Sequence, residues 1–318
     1  MKRDDVKEII ACLGGEREIY HYFKDRYCLD MLGLVMDQQK REYLTITEIK
    51  SCDLNRYIQK PNVKAMLKHC GNGRVYKSDL ETLWPSELLP LVTQLTGWGD
   101  SDRGWDQTTR NQCNLVLQLN FDNKHTQDYQ RLVKPDDHYG PFEYWGHPVS
   151  EGRAKTMSWV RMDINFDTNE VLIEEIQNDW LRKAHSMFGY IKKGLKKRPD
   201  VKPSYFCSEI MGGFEDLECY VETVLAPYQK TWAEASMMAA IRFIRYTLGI
   251  DNIYYHSFST GNKIKQICGD PPKSMYTTLP KQFGFELTEH APEFLMQDKR
   301  ARRYIKAIDN SQWHKLAA

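Results

Sequence analysis

The chain has 318 residues, of which 41% are hydrophobic and 12% aromatic, which excludes an intrinsically disordered protein and suggests about two domains. Lys and Arg total 44 against 43 Asp and Glu, so net charge favours neither nucleic acid nor anionic membrane as a partner. The eight cysteines form no CxxC pair, and no segment approaches the ~20 apolar residues of a membrane span. We therefore expect a cytoplasmic protein with reduced thiols, no membrane partner and no metal.

Residues 1–97 are predicted to form a mainly helical domain. "REIYHYFKDRYCLDMLGLVM" repeats apolar residues at helical spacing. Two short helices, a Gly71-Asn72-Gly73 turn and the strand-like "RVYKS" follow, which is the order of a winged-helix DNA-binding module. Basic residues such as Lys64 and Lys77 either contact phosphates there or are simply solvated. The polar residues 98–112 are predicted to be a linker.

Residues 113–318 are predicted to form a domain of the α+β class, with a helical insertion at about 180–228. "TMSWVRMDINFDTNEVLIEEIQND" contains two strand-like runs joined at residues 167–169, which predicts a hairpin. Glu174 and Glu175 lie in its second strand, where neighbours point to opposite faces. We expect one carboxylate to be desolvated, with its pKa raised toward that of a general base. An ion pair with Arg161 across the hairpin is the alternative.

The strand ends at Asn178-Asp179, both favourable helix N-caps, and an amphipathic helix is predicted to follow. That helix ends in the basic cluster Lys192–Arg198. The cluster either contacts a nucleic-acid or protein partner, as the N-terminal domain could, or is the solvated end of a helix. Both interpretations remain open at this point.

The T-x-x-E spacing of Thr231 and Glu234 predicts a capping box that opens a helix at residue 232. A strand is predicted in "IDNIYYHSF", with His256 and Ser257 at its carboxyl end, where sheets often bind ligands. The loop at 125–148 contains His125, Asp136, Asp137, His138 and His147, without the spacing of a metal site. We expect that loop to cover one end of the sheet.

The order strand, long loop, hairpin, helix, strand, helix, strand in residues 114–290 resembles the GCN5-related N-acetyltransferase (GNAT) family. The resemblance is carried by "WVRMDINFDTNEVLIEEI", "WAEASMMAAIRFIRYTLGIDNIYYHSF" and "GNKIKQ…MYTTLPKQFGF". "LIEEIQNDW" and "Y-x-x-L-P" are also similar to a domain of large polyvalent proteins of phages and conjugative elements. The likeness covers somewhat over half of the chain and implies a mixed, mostly antiparallel sheet flanked by helices.

The resemblance implies that Glu174 or Glu175 is the general base that takes a proton from an amine, and that Tyr276 protonates the departing thiolate. It also implies that Asn262 helps to hold the pantetheine of acetyl-CoA or another acyl-CoA. The cofactor pyrophosphate would then lie on the amides at the predicted helix start. These are the amides of Gln229, Lys230 and Thr231. The substrate would contact Gln177, Asp179, Trp180, His256 and Ser257.

One feature departs from the family. If Gln229 opens the phosphate loop, Trp232 and Glu234 occupy the positions of its glycines, where an indole and a carboxylate oppose a phosphate group. Two functions are therefore predicted. The first is a divergent GNAT-like acyltransferase that acts on an amine of a macromolecular or small substrate. The second is a catalytically inactive GNAT-like scaffold, of phage or mobile-element origin, that binds a macromolecule.

Overall fold

The computed structural model of the chain describes residues 1–13, 18–99, 106–136, 140–150, 152, 154–266 and 271–316. Its strands, numbered in chain order, are β1 (Ile19–Tyr22), β2 (Tyr43–Thr45), β3 (Arg74–Tyr76), β4 (Leu89–Trp98), β5 (Asn114–Asn120), β6 (Thr156–Asn165), β7 (Glu170–Gln177), β8 (Asn252–His256), β9 (Phe285–Thr288) and β10 (Trp313–Leu316).

Eight of these strands form one sheet, in the order β1-β4-β5-β6-β7-β8-β10-β9. Neighbouring strands are antiparallel except β7 and β8, which are parallel. The predicted α+β class with a mostly antiparallel sheet is confirmed. The predicted linker, residues 98–112, connects β4 to its immediate neighbour β5, so strands from residues 1–97 and from residues 113–318 share this sheet.

The helices of the described chain are mostly short. They are α1 (Arg3–Leu13), α2 (Arg26–Gln38), α3 (Ile46–Ser51), α4 (Asn55–Ile58), α5 (Pro61–Leu67), α6 (Lys77–Glu81), α7 (Asn123–Leu132), α8 (Trp180–Lys197), α9 (Phe214–Cys219), α10 (Ala226–Arg242), α11 (Phe258–Lys265), α12 (Lys273–Gln282), α13 (Glu293–Gln297) and α14 (Lys299–Lys306). A 3₁₀ turn occupies Pro203–Tyr205, and π-helical turns occupy Tyr220–Val224 and Phe243–Thr247. No helix among the described residues is long and apolar enough to cross a membrane.

The two faces of the sheet are covered differently. On one face, side chains of α2, α8, α10 and α12 form the larger core with alternate residues of the strands. On the other face, α11, α13 and α14 cover only the part formed by β7, β8 and β10. Over β5 and β6 this second face is covered by the loops that follow β4 and α7, as the hydrogen bonds of Arg161 and Gln118 show. The second face is therefore the polar one.

The β6–β7 hairpin contains a β-bulge at the glutamates. Arg161 pairs with Glu175, but Met162 pairs with Ile173, so Glu174 is an extra residue in β7. As a result Ile173 and Ile176 both pack into the larger core, and both glutamates contact the polar face. The prediction that the two carboxylates point to opposite faces is wrong, because the bulge interrupts the alternation.

The segment from β2 to α6 has short helices and the strand β3, and β3 pairs with β2 in a separate two-stranded sheet. Some of its basic side chains form contacts with other residues of the chain. Lys77 bonds to Asp37, and the Arg74 guanidinium lies 4.6 Å from the centre of the Tyr43 ring. DNA binding by this segment stays a prediction.

Candidate functional site

The candidate site lies where β7 and β8 separate. The two strands pair only from Glu170 with Asn252 to Ile173 with Tyr255, whereas β7 continues to Gln177. Backbone groups beyond the last pair need other partners, because unpaired buried groups are costly. Polar side chains from four elements fill this gap, and they include Glu174, Glu175 and His256 of the residues that the sequence singled out.

Glu174 is fully buried and holds the loop that follows β4. Its Oε1 accepts a hydrogen bond from the Thr109 amide at 3.0 Å, and its Oε2 accepts one from the Thr109 hydroxyl at 2.8 Å. Burial opposes ionisation, but the hydrogen bond and charge of His256, followed by the charge of Lys265, lower the pKa of Glu174 to about 2. The expected rise in pKa is wrong for Glu174, because its bonds outweigh desolvation.

His256 lies beside Glu174, with Nε2 at 3.2 Å from Oε2 of Glu174 and 2.8 Å from the hydroxyl of Thr109. Burial lowers the pKa of His256, whereas the hydrogen bond and charge of Glu174 oppose that change. Nδ1 is buried and has no hydrogen-bond partner among the residues that the structure describes. Gly261 packs on this ring, since a Cβ there would lie 3.0 Å from Cβ of His256.

Glu175 forms an ion pair with Arg161 across the hairpin, as the alternative prediction states. Arg161 is buried, and its guanidinium also donates to the backbone carbonyls of Asp106 at 2.5 Å and Gln107 at 3.3 Å. Burial opposes ionisation of Glu175, but Arg161 and then Lys265 lower its pKa. A carboxylate that is stabilised in this way is a weak base. Arg161 and Glu174 thus both fasten the loop at 106–109 onto the sheet.

Lys265 closes the gap between the strands. This buried residue of α11 donates from Nζ to the backbone carbonyl of Glu174 at 2.9 Å, in place of a β8 backbone group. Burial lowers the pKa of Lys265, while Glu175 and Glu174 oppose that change. The Glu174 carbonyl, the first one beyond the paired part of β7, therefore already has a hydrogen-bond donor in Lys265.

Tyr276 lies near this cluster but is itself buried. Its ring stacks on that of Tyr255, with the centroids 5.5 Å apart and the planes within 3°. Burial and then the charge of Glu175 raise the pKa of Tyr276 above its ordinary value, so the phenol is protonated. Proton donation from Tyr276 to a thiolate stays a prediction.

A second polar pair, His147 with Asp179, adjoins the end of β7. Nδ1 of His147 lies 2.7 Å from Oδ2 of Asp179. Asp179 is buried, and its Oδ1 accepts hydrogen bonds from Gln177 and Arg182 at 2.7 Å each. Burial opposes ionisation of Asp179, but its bond to His147 lowers its pKa. When the Asp179 carboxylate accepts a hydrogen bond from Nδ1 of His147, Nε2 is the ring nitrogen left to act as a base. The side chain of His147 is 26% exposed.

Sequence reasoning missed Thr109, and it considered His147 only as one of the loop residues with the ligand types of a metal site. His147 lies in a loop with no periodic pattern. That loop does cover the sheet, and there the His147 ring meets Trp159 edge to face, with the ring centres 5.4 Å apart. Asp137 and His138 of the same loop lie outside the described residues. Thr109 lies in the predicted linker. The one available signal for this pair was Asp179, the acidic residue next to the start of α8. Asn178 caps that helix through its Oδ1, so the Asp179 side chain is left to bond to His147.

Two predicted substrate contacts have structural roles instead. Trp180 is 1% exposed and donates from Nε1 to the Tyr220 hydroxyl at 2.8 Å, inside an aromatic cluster of the larger core. Ser257 is the N-cap of α11, and its Oγ accepts from the Thr260 amide. Neither side chain is free to contact a substrate. Gln177 remains part of the Asp179 cluster.

The predicted cofactor site does not fit a pyrophosphate. Helix α10 begins at Ala226, not at residue 232, and the amide of Gln229 donates to the carbonyl of Leu225. Lys230 and Thr231 lie inside the helix, where their amides belong to its ladder. Glu234 is no cap either, because it accepts from the Asp25 amide at 2.8 Å and pairs with Lys24. The capping-box prediction is wrong, because the helical turns before Ala226 supply the helix start.

The remaining cofactor residue, Asn262, is half-buried on the exposed side of α11. Its backbone carbonyl accepts the amide of Gln266 at the helix end. Within the described ranges, no three His, Cys, Asp or Glu side chains come together as metal ligands do.

Three comparisons were made with known proteins. Neither protein-family models, nor curated protein sequences, nor solved structures give a match to this chain.

Proposed function

We propose that the chain is a binding protein built on a GNAT-like scaffold, which recognises a macromolecule and does not use coenzyme A. The observation that carries the proposal is the continuous helical backbone into α10, which leaves no free amides at residues 229–231 for a pyrophosphate. The bond from Lys265 to the Glu174 carbonyl supports it, because the gap between β7 and β8 is filled by the chain itself. The buried cluster of Glu174, Thr109 and His256 then serves to fix a loop.

Thermal-shift titrations with acetyl-CoA and free CoA test this proposal. A ligand at a hundred times its Kd adds about 2.7 kcal/mol to the free energy of unfolding, which raises the midpoint visibly. We expect no shift for the wild type. The variant Lys265→Met serves as a comparison, because it leaves the Glu174 carbonyl free. A shift for the wild type would overturn the proposal, and a shift for the variant alone would identify Lys265 as the group that closes a cofactor site.

A second candidate is acyl transfer to an amine from a donor other than CoA, and the His147–Asp179 pair favours it. Its geometry is that of a base oriented by a carboxylate. In this candidate, Nε2 of His147 takes a proton from the amine while the amine nitrogen bonds to the acyl carbon and the leaving group departs. Glu175 cannot fill that role while it is paired with Arg161.

This candidate is tested with p-nitrophenyl acetate as donor, with and without a primary amine. The expected result for catalysis is amine-dependent release of p-nitrophenolate that falls about 100-fold in His147→Gln. Asp179→Asn should cause a similar fall, because the orienting acceptor is lost. His69→Gln is the matched control, since His69 is exposed and outside the cluster. Equal activity in His147→Gln and His69→Gln would remove this candidate.

A further inference from the structure

The carboxyl end of α8 and the turn that follows it form a surface of exposed cations. Lys193 and Lys197 on α8 and Lys202 after it are exposed and make no ion pair with a described residue. Arg198 is exposed as well and stacks over the Tyr205 ring, with its guanidinium 5.3 Å from the ring centre. Lys192 differs, because it is paired with Glu218 at 2.9 Å.

Two exposed tyrosines lie among these cations. Tyr190 and Tyr205 are each 59% exposed, and their ring centres lie 6.0 Å and 5.2 Å from that of Phe206. Phe206 is held against Gly194, where an added Cβ would lie 2.4 Å from its ring. The close fit fixes Phe206 between the two tyrosines. Large aromatic side chains kept at the surface in a group indicate a binding function.

Helical spacing aligns the cations with the aromatic group. Tyr190, Lys193 and Lys197 occupy positions i, i+3 and i+7 of α8, so they share one face of the helix. Gly194, which contacts Phe206, lies on the same side. We call this face, together with Arg198, Lys202 and Tyr205, the α8 surface.

We propose that the α8 surface binds single-stranded nucleic acid. The assignment rests on the proposed function, that the chain binds a macromolecule, and names the chemical class of that macromolecule. Unpaired bases stack on exposed aromatic rings while the phosphates contact lysine and arginine. A duplex keeps its bases stacked inside and offers only the phosphates. A protein partner of acidic character would satisfy the cations but would not need two rings at this spacing.

Fluorescence anisotropy with a labelled oligothymidylate of about 20 nucleotides tests the proposal. Four cations that neutralise phosphates give a slope of roughly −3 for log affinity against log salt, at about −0.7 for each phosphate. Affinity should therefore fall roughly 50-fold between about 50 mM and about 200 mM salt. A duplex of equal length should bind more weakly than the single strand.

Two kinds of variant separate the contribution of the aromatic rings from that of the cations. Tyr190→Ala and Tyr205→Ala should each weaken binding roughly 5- to 100-fold through lost stacking. The double variant Lys193→Gln/Lys197→Gln should make the salt slope shallower by about 1.4. The controls are Phe166→Ala, an exposed aromatic at the β6–β7 turn, and Lys263→Gln on α11. Both controls should bind like the wild type.

Three outcomes would overturn the assignment. They are no binding at low salt, equal binding of the single strand and the duplex, and binding that the tyrosine variants leave unchanged. Association with anionic phosphatidylserine vesicles in place of the oligonucleotide would also overturn it. If the oligonucleotide does not bind and CoA causes no thermal shift, the proposal of a macromolecule-binding protein is retained and only the nucleic-acid assignment is lost. A thermal shift with CoA would instead overturn the proposed function itself.

Discussion

Oε2 of Glu174 and Nε2 of His256 lie 3.2 Å apart, and neither side chain has any exposed surface. The pair lies where two parallel strands part, and Glu174 binds Thr109 in the loop that follows β4. The buried charge of Glu174 therefore has a structural role, and we expect its removal to affect the stability of the fold first.

The variant Glu174→Gln should lose stability at neutral pH and should also show a weaker dependence of stability on acid pH. The pKa of Glu174 in the folded chain is about 2 against an ordinary 4.5, and a depressed carboxyl pKa stabilises the fold above the unfolded value. That contribution, roughly 3 kcal/mol, disappears as the pH falls from about 4.5 toward 2. Urea unfolding at several pH values measures it, and an identical acid dependence in wild type and variant would contradict the prediction.

Arg161 and Glu175 should show strong coupling in a double-mutant cycle. Arg161→Met leaves the Glu175 carboxylate largely buried without its cation, with an expected loss of about 3–5 kcal/mol. Glu175→Gln leaves Arg161 unpaired in the same way. The double variant should cost clearly less than the two single losses together. Additive losses in denaturant unfolding would mean that the ion pair has no energetic role.

Gly261→Ala and Gly189→Ala should change stability in opposite directions, although both glycines lie inside helices. At Gly261 the new methyl group would press on His256 at 3.0 Å, with an expected cost of about 1–3 kcal/mol. At Gly189 an added Cβ would meet no described atom within 4 Å apart from the backbone of its own helix and its chain neighbours, so alanine should stabilise by up to about 1 kcal/mol. Thermal unfolding compares the two, and a stabilised Gly261→Ala variant would refute the tight packing on His256.

Thr109→Val should destabilise the fold by about 1–3 kcal/mol, because the buried Glu174 carboxylate and His256 lose the hydroxyl between them. The isosteric change keeps the volume, so packing losses are small. Thr277→Val is the control, since its hydroxyl bonds to Lys273 on the exposed side of α12. Equal unfolding midpoints for the two variants would show that the Thr109 hydroxyl is dispensable.

The parts of the fold that depend on local patterns were predictable. Alternation and a turn sequence gave the β6–β7 hairpin, and the left-handed Asn169, with φ 54°, closes it as such a turn requires. The capping-box prediction at Thr231 failed because tertiary contacts of Glu234 and the preceding helical turns decide where α10 begins. The bulge at Glu174 could not be read from a regular alternation, because a bulge breaks the period.

The residues of the candidate site that lie in loops could not be predicted from local sequence patterns. Thr109 and His147 reach the site through contacts 65 and 32 residues away in the chain, with Glu174 and Asp179 respectively. Nothing in their neighbours marks them. Gln177 and Asp179, in contrast, follow a predicted strand directly, and position along that strand was enough to nominate them.

The place of β10 in the sheet sets an order of events during synthesis. β9 bonds only to β10 within the described chain, and β10 lies between β9 and β8. The four strands β4 to β7 meet their neighbours as soon as they leave the ribosome, because each pairs with the next one made. β8 pairs with β7 on one side, but its other edge and the strand β9 must wait for residues 313–316. A chain stalled before that point would expose the open edge of β8 and an unpaired β9 to its surroundings.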